Sequence, residues 1–436
     1  MTTALALLAG APLLYLASRR VVRTFAGLHL RRFPEFVYRQ VGDDELGIPV
    51  FTYHSVGDPQ TPDSVTPEAF EGHMRYLSCN GYQTLGADEV HDHLVNGTPV
   101  APRSVVITFD DGRATVWTTA FPVLRRYGLR AVAFLVPAIL DDRPPRRTLA
   151  DYEAGRTASL DGIVDADRGA HPALSWAEVG RMHESGLVDF ESHTLCHALI
   201  HYSSRIVDFV HPGLRAGYCG FAMPVLRSRG TDLLHQRPPL GTPLYAFQPR
   251  MGPARRFFDD EGLREACVEY VACRGGEEFF WRRAWRQELG RLAAEYRRCH
   301  ALEERYETPE EQVQALRWSL AGSRTLIEER LSGHRVRHLC YPWHRHSVLA
   351  SALAREAGYV TTFADINPHK PSPAWNDAYA VQRLLPTNEF GDDPFAITRI
   401  DARHDPVLSL PGAGRLSYPR RLATRLLRPP SAPGRR

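Results

Sequence analysis

Short apolar runs alternate with amphipathic stretches through the middle of the chain. Runs of five or six residues rich in β-branched and aromatic side chains predict buried strands at 48–53, 104–109, 131–136, 187–191, 336–340 and 359–363. Apolar residues at helical spacing predict helices at 66–80, 117–127, 175–185, 308–331 and 347–357. Strands that alternate with helices are typical of βα units, so we expect an α/β fold with a parallel sheet or barrel.

Two stretches interrupt this alternation. Residues 140–173 are polar and contain Pro and Gly, so we expect a long loop there. Residues 198–306 predict a large insertion whose first half is rich in proline and irregular. Its second half predicts two charged, amphipathic helices separated by Gly275 and Gly276. We interpret this insertion as a lid or a partner-binding face near the barrel rim.

Polar side chains follow the predicted strands directly, and in an α/β barrel that edge carries the active site. They are His54, Asp110, Asp111, His193, His197 and the segment 341–343. Asp110 and Asp111 precede Gly112, a pattern that also occurs in ordinary turns. His193 and His197 are spaced i, i+4, so on one helical turn both imidazoles can reach one metal. One carboxylate and two histidines can bind a metal, and the second carboxylate can then act as a base.

Composition excludes several classes of protein. The chain has 436 residues, is 43% hydrophobic and 24% charged, and carries a formal charge of +3, which excludes collagen, a long disordered chain and a polytopic membrane protein. Seven cysteines at irregular spacings include no CxxC pair, so a zinc knuckle is unsupported. Scattered cysteines favour a reduced protein that faces the cytoplasm.

Both ends of the chain are basic and bear on localisation. Residues 1–18 predict a membrane-anchoring helix, since 2–18 carry no charge, although a helix packed on the body of the protein is the alternative. The following segment, 19–47, is basic, which predicts a cytoplasmic location for the body. The tail, 396–436, is predicted to be disordered or to contact an anionic membrane surface. It lacks the aromatic and basic interleaving typical of nucleic-acid binding, so no nucleic-acid partner is expected.

The motifs at the strand ends resemble those of polysaccharide deacetylases with a NodB homology domain. The matching segments are SVVITFDDG at 104–112, SHTLCH at 192–197 and HLCYPWHRHS at 338–347. The resemblance implies a distorted (β/α) barrel over 48–395 with the insertion at about 198–306. It also implies a metal-dependent hydrolase that removes an N-acyl group, N-acetyl above all, from an amino sugar. The basic ends and the membrane segment add a lipid-linked glycan to polysaccharide as the expected carrier of that sugar.

The resemblance further assigns roles to residues of this chain. Asp110 would be the general base, and Asp111, His193 and His197 would hold a divalent metal, usually Zn²⁺ in this family. The metal would polarise the amide carbonyl and lower the pKa of its water, and a backbone N–H near Tyr341 would stabilise the oxyanion. The residues expected to line the substrate site are Tyr341, Pro342, Trp343 and His344.

The chain departs from the family pattern in two places. The third motif reads Tyr341-Pro342-Trp343 where many members carry Arg, and the late Leu-x-x-His of the general acid is missing. The proton donor is therefore open between His54, His344 and His346. We favour His54, because it follows the first strand. Cys196 is expected to be a small packing residue and not a ligand.

Three functional hypotheses remain open from the sequence. The first is deacylation of a lipid-linked saccharide or glycan at the cytoplasmic face of a membrane. The second is an exported deacetylase of exopolysaccharide or peptidoglycan. The third is a non-catalytic barrel that binds glycan.

Overall fold

A parallel sheet of short, buried strands forms the centre of the computed structural model, which describes residues 48–61, 63–214, 221–364, 396–398 and 400–401. Every neighbouring pair of strands in this sheet is parallel. The strands, in chain order, are β1 (Val50–Tyr53), β4 (Gln83–Thr84), β5 (Ser104–Phe109), β6 (Ala131–Leu135), β7 (Val188–Ser192), β14 (His338–Cys340), β15 (Thr361–Ala364), β16 (Ala396–Thr398) and β17 (Ile400–Asp401).

The strand order shows that the sheet curls into a barrel. It runs β16-β15-β14-β7-β6-β5-β1-β17, with β4 beside β5. The end strands β16 and β17 lie at opposite ends of this order, yet only residue 399 separates them in the chain. Two Cα–Cα steps span at most about 7.6 Å, so the two ends of the sheet must approach each other. The predicted distorted (β/α) barrel is therefore confirmed.

Three of the barrel helices begin where the sequence predicts them to begin, whereas the helix Ala87–Asn96 was not predicted. Thr66 accepts a hydrogen bond from the Ala69 backbone N–H, and Ser175 and Thr308 form capping boxes with acidic residues three positions later. The barrel helices are α1 (Pro67–Cys79), α2 (Ala87–Asn96), α3 (Phe121–Tyr127), α6 (Trp176–Glu184), α9 (Pro309–Arg330) and α10 (Val348–Glu356). One π-helical turn at Val116–Ala120 leads into α3.

The predicted loop at 140–173 is wrong in part. It contains two short helices, α4 (Leu149–Glu153) and α5 (Asp161–Val164). Thr148 caps α4, and Ile163 is the buried residue of α5. Helices of one turn are too short to show an apolar period, so the pattern could not reveal them.

The first half of the insertion is also more regular than predicted. Strand β8 (Leu199–Phe209) pairs antiparallel with β11 (Pro243–Pro249), and β9 (Leu226–Ser228) pairs with β10 (Thr231–Leu233). The prolines at 243 and 249 that suggested irregular chain are the end residues of β11, where a strand tolerates them.

The second half of the insertion contains the two predicted helices, α7 (Glu261–Ala272) and α8 (Trp285–Cys299). They enclose an apolar cluster of their own that includes Leu263, Phe279 and Leu289, all fully buried. Two short strand pairs complete the described elements, β2 (Ser55–Val56) with β3 (Ser64–Val65) and β12 (Phe257–Phe258) with β13 (Arg305–Tyr306).

The predictions for the ends have different outcomes. The boundary at residue 395 was placed too early, because β16 and β17 belong to the barrel sheet. The predicted membrane helix at 1–18, the basic segment at 19–47 and the rest of the tail from 402 lie outside the described residues. Among the residues that the structure describes, no helix is both long enough and apolar enough to cross a membrane.

Candidate functional site

Asp111, His193 and His197 come together at the carboxyl edge of the barrel. The Nε2 atoms of both histidines lie 3.5 Å from Oδ1 of Asp111, and all three side chains are buried. One donor atom from each residue lies within 4.8 Å of the others. The i, i+4 spacing suggested that the two histidines share one helical turn, but they do not lie on a helix. The segment after β7 is irregular, with φ of +65° at Thr194 and +50° at His197.

A tight turn after β5 presents the two carboxylates. The backbone N–H of Asp110 still donates to Tyr53 O at 3.0 Å, and Asp111 and Gly112 then adopt φ of +71° and +66°. A Cβ on Gly112 would lie 3.1 Å from Leu135 Cδ2, so the turn needs glycine there for both space and conformation. A positive φ at Asp111 is uncommon for a residue with a side chain.

Hydrogen bonding sets the tautomer of His193. Its Nδ1 lies 2.8 Å from the Cys340 carbonyl oxygen, and a carbonyl only accepts, so Nδ1 carries the proton. Nε2 then faces Asp111 and is the nitrogen that would bind a metal, as in metal-ligating histidines whose other nitrogen donates to a carbonyl. Nδ1 of His197 is buried and has no hydrogen-bond partner among the residues that the structure describes. Two imidazole nitrogens and one carboxylate oxygen fit a divalent metal.

Electrostatics keep two members of this set in the forms that bind metal. Burial by itself would raise the pKa of Asp111, but His193, Arg113, His197 and His54 outweigh it and hold that pKa well below its ordinary value. Burial lowers the pKa of His197 to about 3. At neutral pH Asp111 is therefore ionised and His197 is neutral.

His193 differs from His197 in its charge. Burial alone would lower its pKa, but Cys340, Asp110 and Asp111 raise that pKa well above its ordinary value. In the metal-free protein the His193 ring therefore carries a second proton, on Nε2, at neutral pH. A metal that binds Nε2 would displace that proton.

We call Asp111, His193 and His197 the metal-ligand set, because together they would hold a metal. Asp110 lies beside this set and is fully buried. Its Oδ2 lies 3.8 Å from His54 Nε2, and the Cys340 thiol donates to the same oxygen over 3.6 Å. The structure thus brings together the predicted base and one predicted proton donor. Sequence reasoning missed Cys340, although it ends β14 and so occupies the same kind of strand-end position as Asp110.

Arg113 is a second site residue that the sequence analysis missed. Its Nε and Nη2 donate to Asp111 Oδ2 at 3.1 and 3.0 Å, and its side chain is buried. The guanidinium thereby occupies one carboxylate oxygen and leaves the other to the imidazoles. Its position two residues after Asp111 was the available indication, but the family pattern places an arginine in the third motif instead.

The third motif lines the site with aromatic rings. The turn Pro342–His344 follows β14, with φ of +57° at Trp343 and +58° at His344. The Trp343 ring centroid lies 5.2 Å from that of His197, and the His344 ring meets the edge of His54 at 6.4 Å. The structure therefore places Trp343 and His344 at the site, and their contact with substrate stays a prediction.

Tyr341 was expected to line the substrate site and to have an oxyanion-binding backbone N–H nearby, and the structure does not support both roles for Tyr341 itself. Its backbone N–H donates to Phe363 O at 3.0 Å, so that amide is committed to the sheet and is not available to an oxyanion. The Tyr341 ring is buried and stacks on His346 at 4.3 Å. His346 therefore packs beneath the motif, and Pro342 is buried in the turn.

The insertion supplies a side chain that the sequence did not indicate. The ring of Phe221 stacks on His197 with centroids 4.4 Å apart. Nε2 of His235 donates to the Cys196 carbonyl at 2.8 Å. Burial raises the pKa of the Cys196 thiol to about 12, so it is neutral, and it joins no metal-ligand group among the described residues. The insertion therefore lies against the segment that carries His193 and His197.

Comparisons with known proteins agree on one family for this region. Residues 97–207, which include both carboxylates and both histidines, match the family model described as polysaccharide deacetylase. Three curated relatives are named poly-β-1,6-N-acetyl-D-glucosamine N-deacetylase, two of them from strains of Escherichia coli. The one from Escherichia coli K12 is 28% identical over 195 residues, 44% of this chain and 25% of the relative. The one from Staphylococcus epidermidis is 29% identical over 131 residues, 30% of this chain and 37% of the relative.

The extent of these similarities is limited. This chain spans between a quarter and somewhat more than a third of the length of the curated relatives that it matches. Among solved structures, a de-N-acetylase from Aggregatibacter actinomycetemcomitans is 19% identical with a TM-score of 0.42, covering 73% of this chain and 88% of that one. The IcaB protein of Ammonifex degensii is 17% identical with a TM-score of 0.41, covering 83% and 97%.

Proposed function

We propose, from the polysaccharide deacetylase domain at 97–207, that this chain is a metal-dependent hydrolase that removes N-acetyl groups from amino sugars of a polysaccharide. The observation that carries this proposal is the convergence of Asp111, His193 and His197 beside a second buried carboxylate, Asp110. We propose Zn²⁺ as the metal, because two imidazoles and one carboxylate are a common zinc ligand set. The names of the curated relatives suggest poly-β-1,6-N-acetyl-D-glucosamine as the first substrate to test.

The residues of the chain divide the chemistry between them. Asp111, His193 and His197 would hold the metal, which supplies a Lewis acid for the amide carbonyl when bound. Asp110 takes a proton from the water that attacks the carbonyl carbon. The carbon–nitrogen bond then breaks, acetate forms, and the leaving amine takes up a proton.

We propose His54 as the donor of that proton. Its Nε2 lies 3.8 Å from Asp110 Oδ2, and its side chain is 19% exposed, so it can reach both the base and an entering substrate. His344, whose ring contacts His54, is the alternative donor. Trp343 and Phe221 flank His197 and restrict the water that reaches it.

A direct assay tests this function. Zinc-loaded protein is incubated with poly-β-1,6-N-acetyl-D-glucosamine, and released acetate is measured. We expect release that a chelator abolishes and that added zinc restores, and we expect His193→Ala to lose both activity and bound metal. Trp318→Ala is the matched control, because Trp318 is 55% exposed on α9. Acetate release that persists in excess chelator would exclude the mechanism.

The non-catalytic alternative is less well supported by the site. A barrel that only binds glycan does not require two buried carboxylates beside two histidines, since buried charges are costly to keep. Metal-loaded protein that binds the polymer and releases no acetate from any N-acetylated glycan would favour that alternative.

We further propose that the chain works at the cytoplasmic face of a membrane, on a glycan or glycolipid. The uncharged segment 2–18 and the arginines at 19, 20 and 23 support this proposal. A topology reporter fused after Arg436 tests it. A reporter active only outside the cytoplasm would replace it with an exported deacetylase.

A further inference from the structure

An open aromatic cleft lies on the insertion, at the end of β8 that is remote from the metal-ligand set. It has a volume of ≈ 260 Å³ and is lined by His211, Glu277, Phe280, Trp281, Trp285 and Arg286. Pockets for drug-sized ligands begin at about 300 Å³, so this cleft suits a single small ring. None of these residues takes part in the chemistry proposed above.

Aromatic rings form the floor of the cleft. Phe280 and Trp285 meet edge to face with centroids 5.0 Å apart, and the His211 ring lies 5.1 Å from Trp285. Trp281 stands at the rim with 78% of its surface exposed. An exposed indole beside further aromatic rings is typical of a binding surface, since tryptophan is enriched in contacts that supply binding energy.

Trp281 is exposed although the backbone around it is well packed. Trp281 ends a short 3₁₀ helix, Gly276–Trp281, in which Phe279 is fully buried. Trp285, four residues later, is only 7% exposed and belongs to the same apolar cluster as Phe279. The backbone is therefore anchored on both sides of Trp281, and the indole is held out to solvent on a rigid support.

Polar groups surround the aromatic floor. The Arg286 guanidinium lies 4.0 Å over the Trp285 ring and donates to both oxygens of Asp208, at 2.9 and 3.1 Å. The Gly213 backbone N–H donates to His211 Nδ1 at 3.1 Å, and Arg286 Nη2 lies 3.4 Å from His211 Nε2. The rim thus places a guanidinium, an imidazole and the Glu277 carboxylate next to flat apolar surfaces.

We propose that this cleft binds one sugar ring of the same polysaccharide whose N-acetyl group is removed at the metal-ligand set, an inference that rests on the proposed function. A pyranose ring has an apolar C–H face, which packs on an indole, and equatorial hydroxyl groups, which bond to a polar rim. The cleft is both small and open, as a binding site for one ring of a continuous chain must be.

The position of the cleft fits a ligand that is part of a polymer. Strand β8 begins two residues after His197 and ends two residues before His211. Its 11 residues span about 35 Å at the usual rise of a strand. A free monosaccharide in the cleft could not reach the metal-ligand set, whereas one long glycan can occupy both.

Binding measurements with matched variants test this inference. Trp281→Ala is compared with Trp318→Ala, a control that removes an exposed indole from α9. Affinity for poly-β-1,6-N-acetyl-D-glucosamine is measured in chelator, so that turnover does not contribute. We expect about tenfold weaker binding for Trp281→Ala, the loss of one stacking contact, and unchanged binding for Trp318→Ala. In the metal-loaded enzyme, KM for the polymer should rise with Trp281→Ala, while kcat on a disaccharide stays constant.

The outcomes separate this inference from the proposed function. Equal affinity of Trp281→Ala and the unaltered protein for the polymer would overturn the cleft as a glycan site. Light scattering that shows a dimer of the unaltered protein and a monomer of Trp281→Ala would assign the cleft to a second copy of the chain and also overturn it. Trp281-dependent binding without any acetate release would contradict only the proposed function.

Discussion

Arg113 holds Oδ2 of Asp111 and leaves Oδ1 of the same carboxylate to the imidazoles of the site. A buried arginine therefore both orients a metal-ligand carboxylate and keeps it ionised. Because both of these hydrogen bonds go to Oδ2, they support the metal-ligand set without closing it.

The first prediction concerns this positioning role. Arg113→Ala should weaken zinc binding by about 10- to 100-fold, the usual cost of losing a partner of a metal ligand. The loss should grow at lower pH, because without Arg113 the pKa of Asp111 rises and protons compete with the metal. Competition titration with a chromophoric chelator measures both effects. Arg113→Lys keeps the charge but cannot form both hydrogen bonds to Oδ2. Its zinc affinity should therefore lie between those of the unaltered protein and Arg113→Ala. An Ala variant with unaltered affinity at every pH would rule out the role.

The second prediction separates the base from the ligands. Asp110→Asn should lower kcat for acetate release by about 10²- to 10⁴-fold, the usual contribution of a general base. The amide cannot accept the proton of the attacking water, whereas the metal-ligand set keeps all three donors. Metal analysis should therefore find the same zinc content as in the unaltered protein. A variant that loses its zinc, or one that keeps full turnover, would assign Asp110 a different role.

The third prediction concerns the proton donor. His54→Gln should lower kcat by about 10²-fold and remove the alkaline limb of the kcat–pH profile, because a general acid must be protonated to act. Acetate release across pH with each variant provides the measurement. If His344→Gln removes the limb and His54→Gln does not, the role belongs to His344.

The fourth prediction concerns the proton on His193. Since its pKa is raised well above the ordinary value in the metal-free protein, metal binding at neutral pH should release about one proton from this residue. Zinc affinity should then fall about tenfold per unit as pH decreases below neutrality. Calorimetry in buffers of different ionisation enthalpy counts the released protons. Binding enthalpies that are the same in all buffers would contradict this assignment.

The fifth prediction concerns stability and lies outside the site. Burial, Arg256 and Arg264 lower the pKa of His201 to about 3. The unfolded chain takes up a proton at this residue near pH 6.5, whereas the folded chain does so only near pH 3. The free energy of unfolding should therefore fall as pH falls between these values, by up to about 1.4 kcal/mol per pH unit from this group.

His201→Phe removes that titration and tests the fifth prediction. The position faces Tyr245, whose ring centroid lies 5.2 Å away, so an aromatic replacement retains packing. Urea unfolding at pH 6.5 and pH 4.5 should show a smaller change for the variant than for the unaltered protein. The same change in both proteins would mean that other groups account for the acid sensitivity.

Much of the barrel was predictable because local rules and tertiary structure agree there. Strand β5 has its predicted bounds, and Thr66, Ser175 and Thr308 cap the helices that they were expected to cap. The prediction was wrong where the pattern was short or broken. A one-turn helix shows no period, and prolines at the ends of β11 resemble those of a loop.

Sequence by itself determined the strand–helix alternation, the family resemblance and the presence of Asp110, Asp111, His193 and His197 at strand ends. Those features depend on neighbours within a few positions along the chain. Tertiary structure alone decided that Arg113 binds Asp111, that Cys340 meets Asp110 and that Phe221 covers His197. Cys340 and Phe221 lie far along the chain from the residues they meet. Arg113 is only two residues from Asp111, but the turn set by a positive φ, and not the spacing, brings its guanidinium back to that carboxylate.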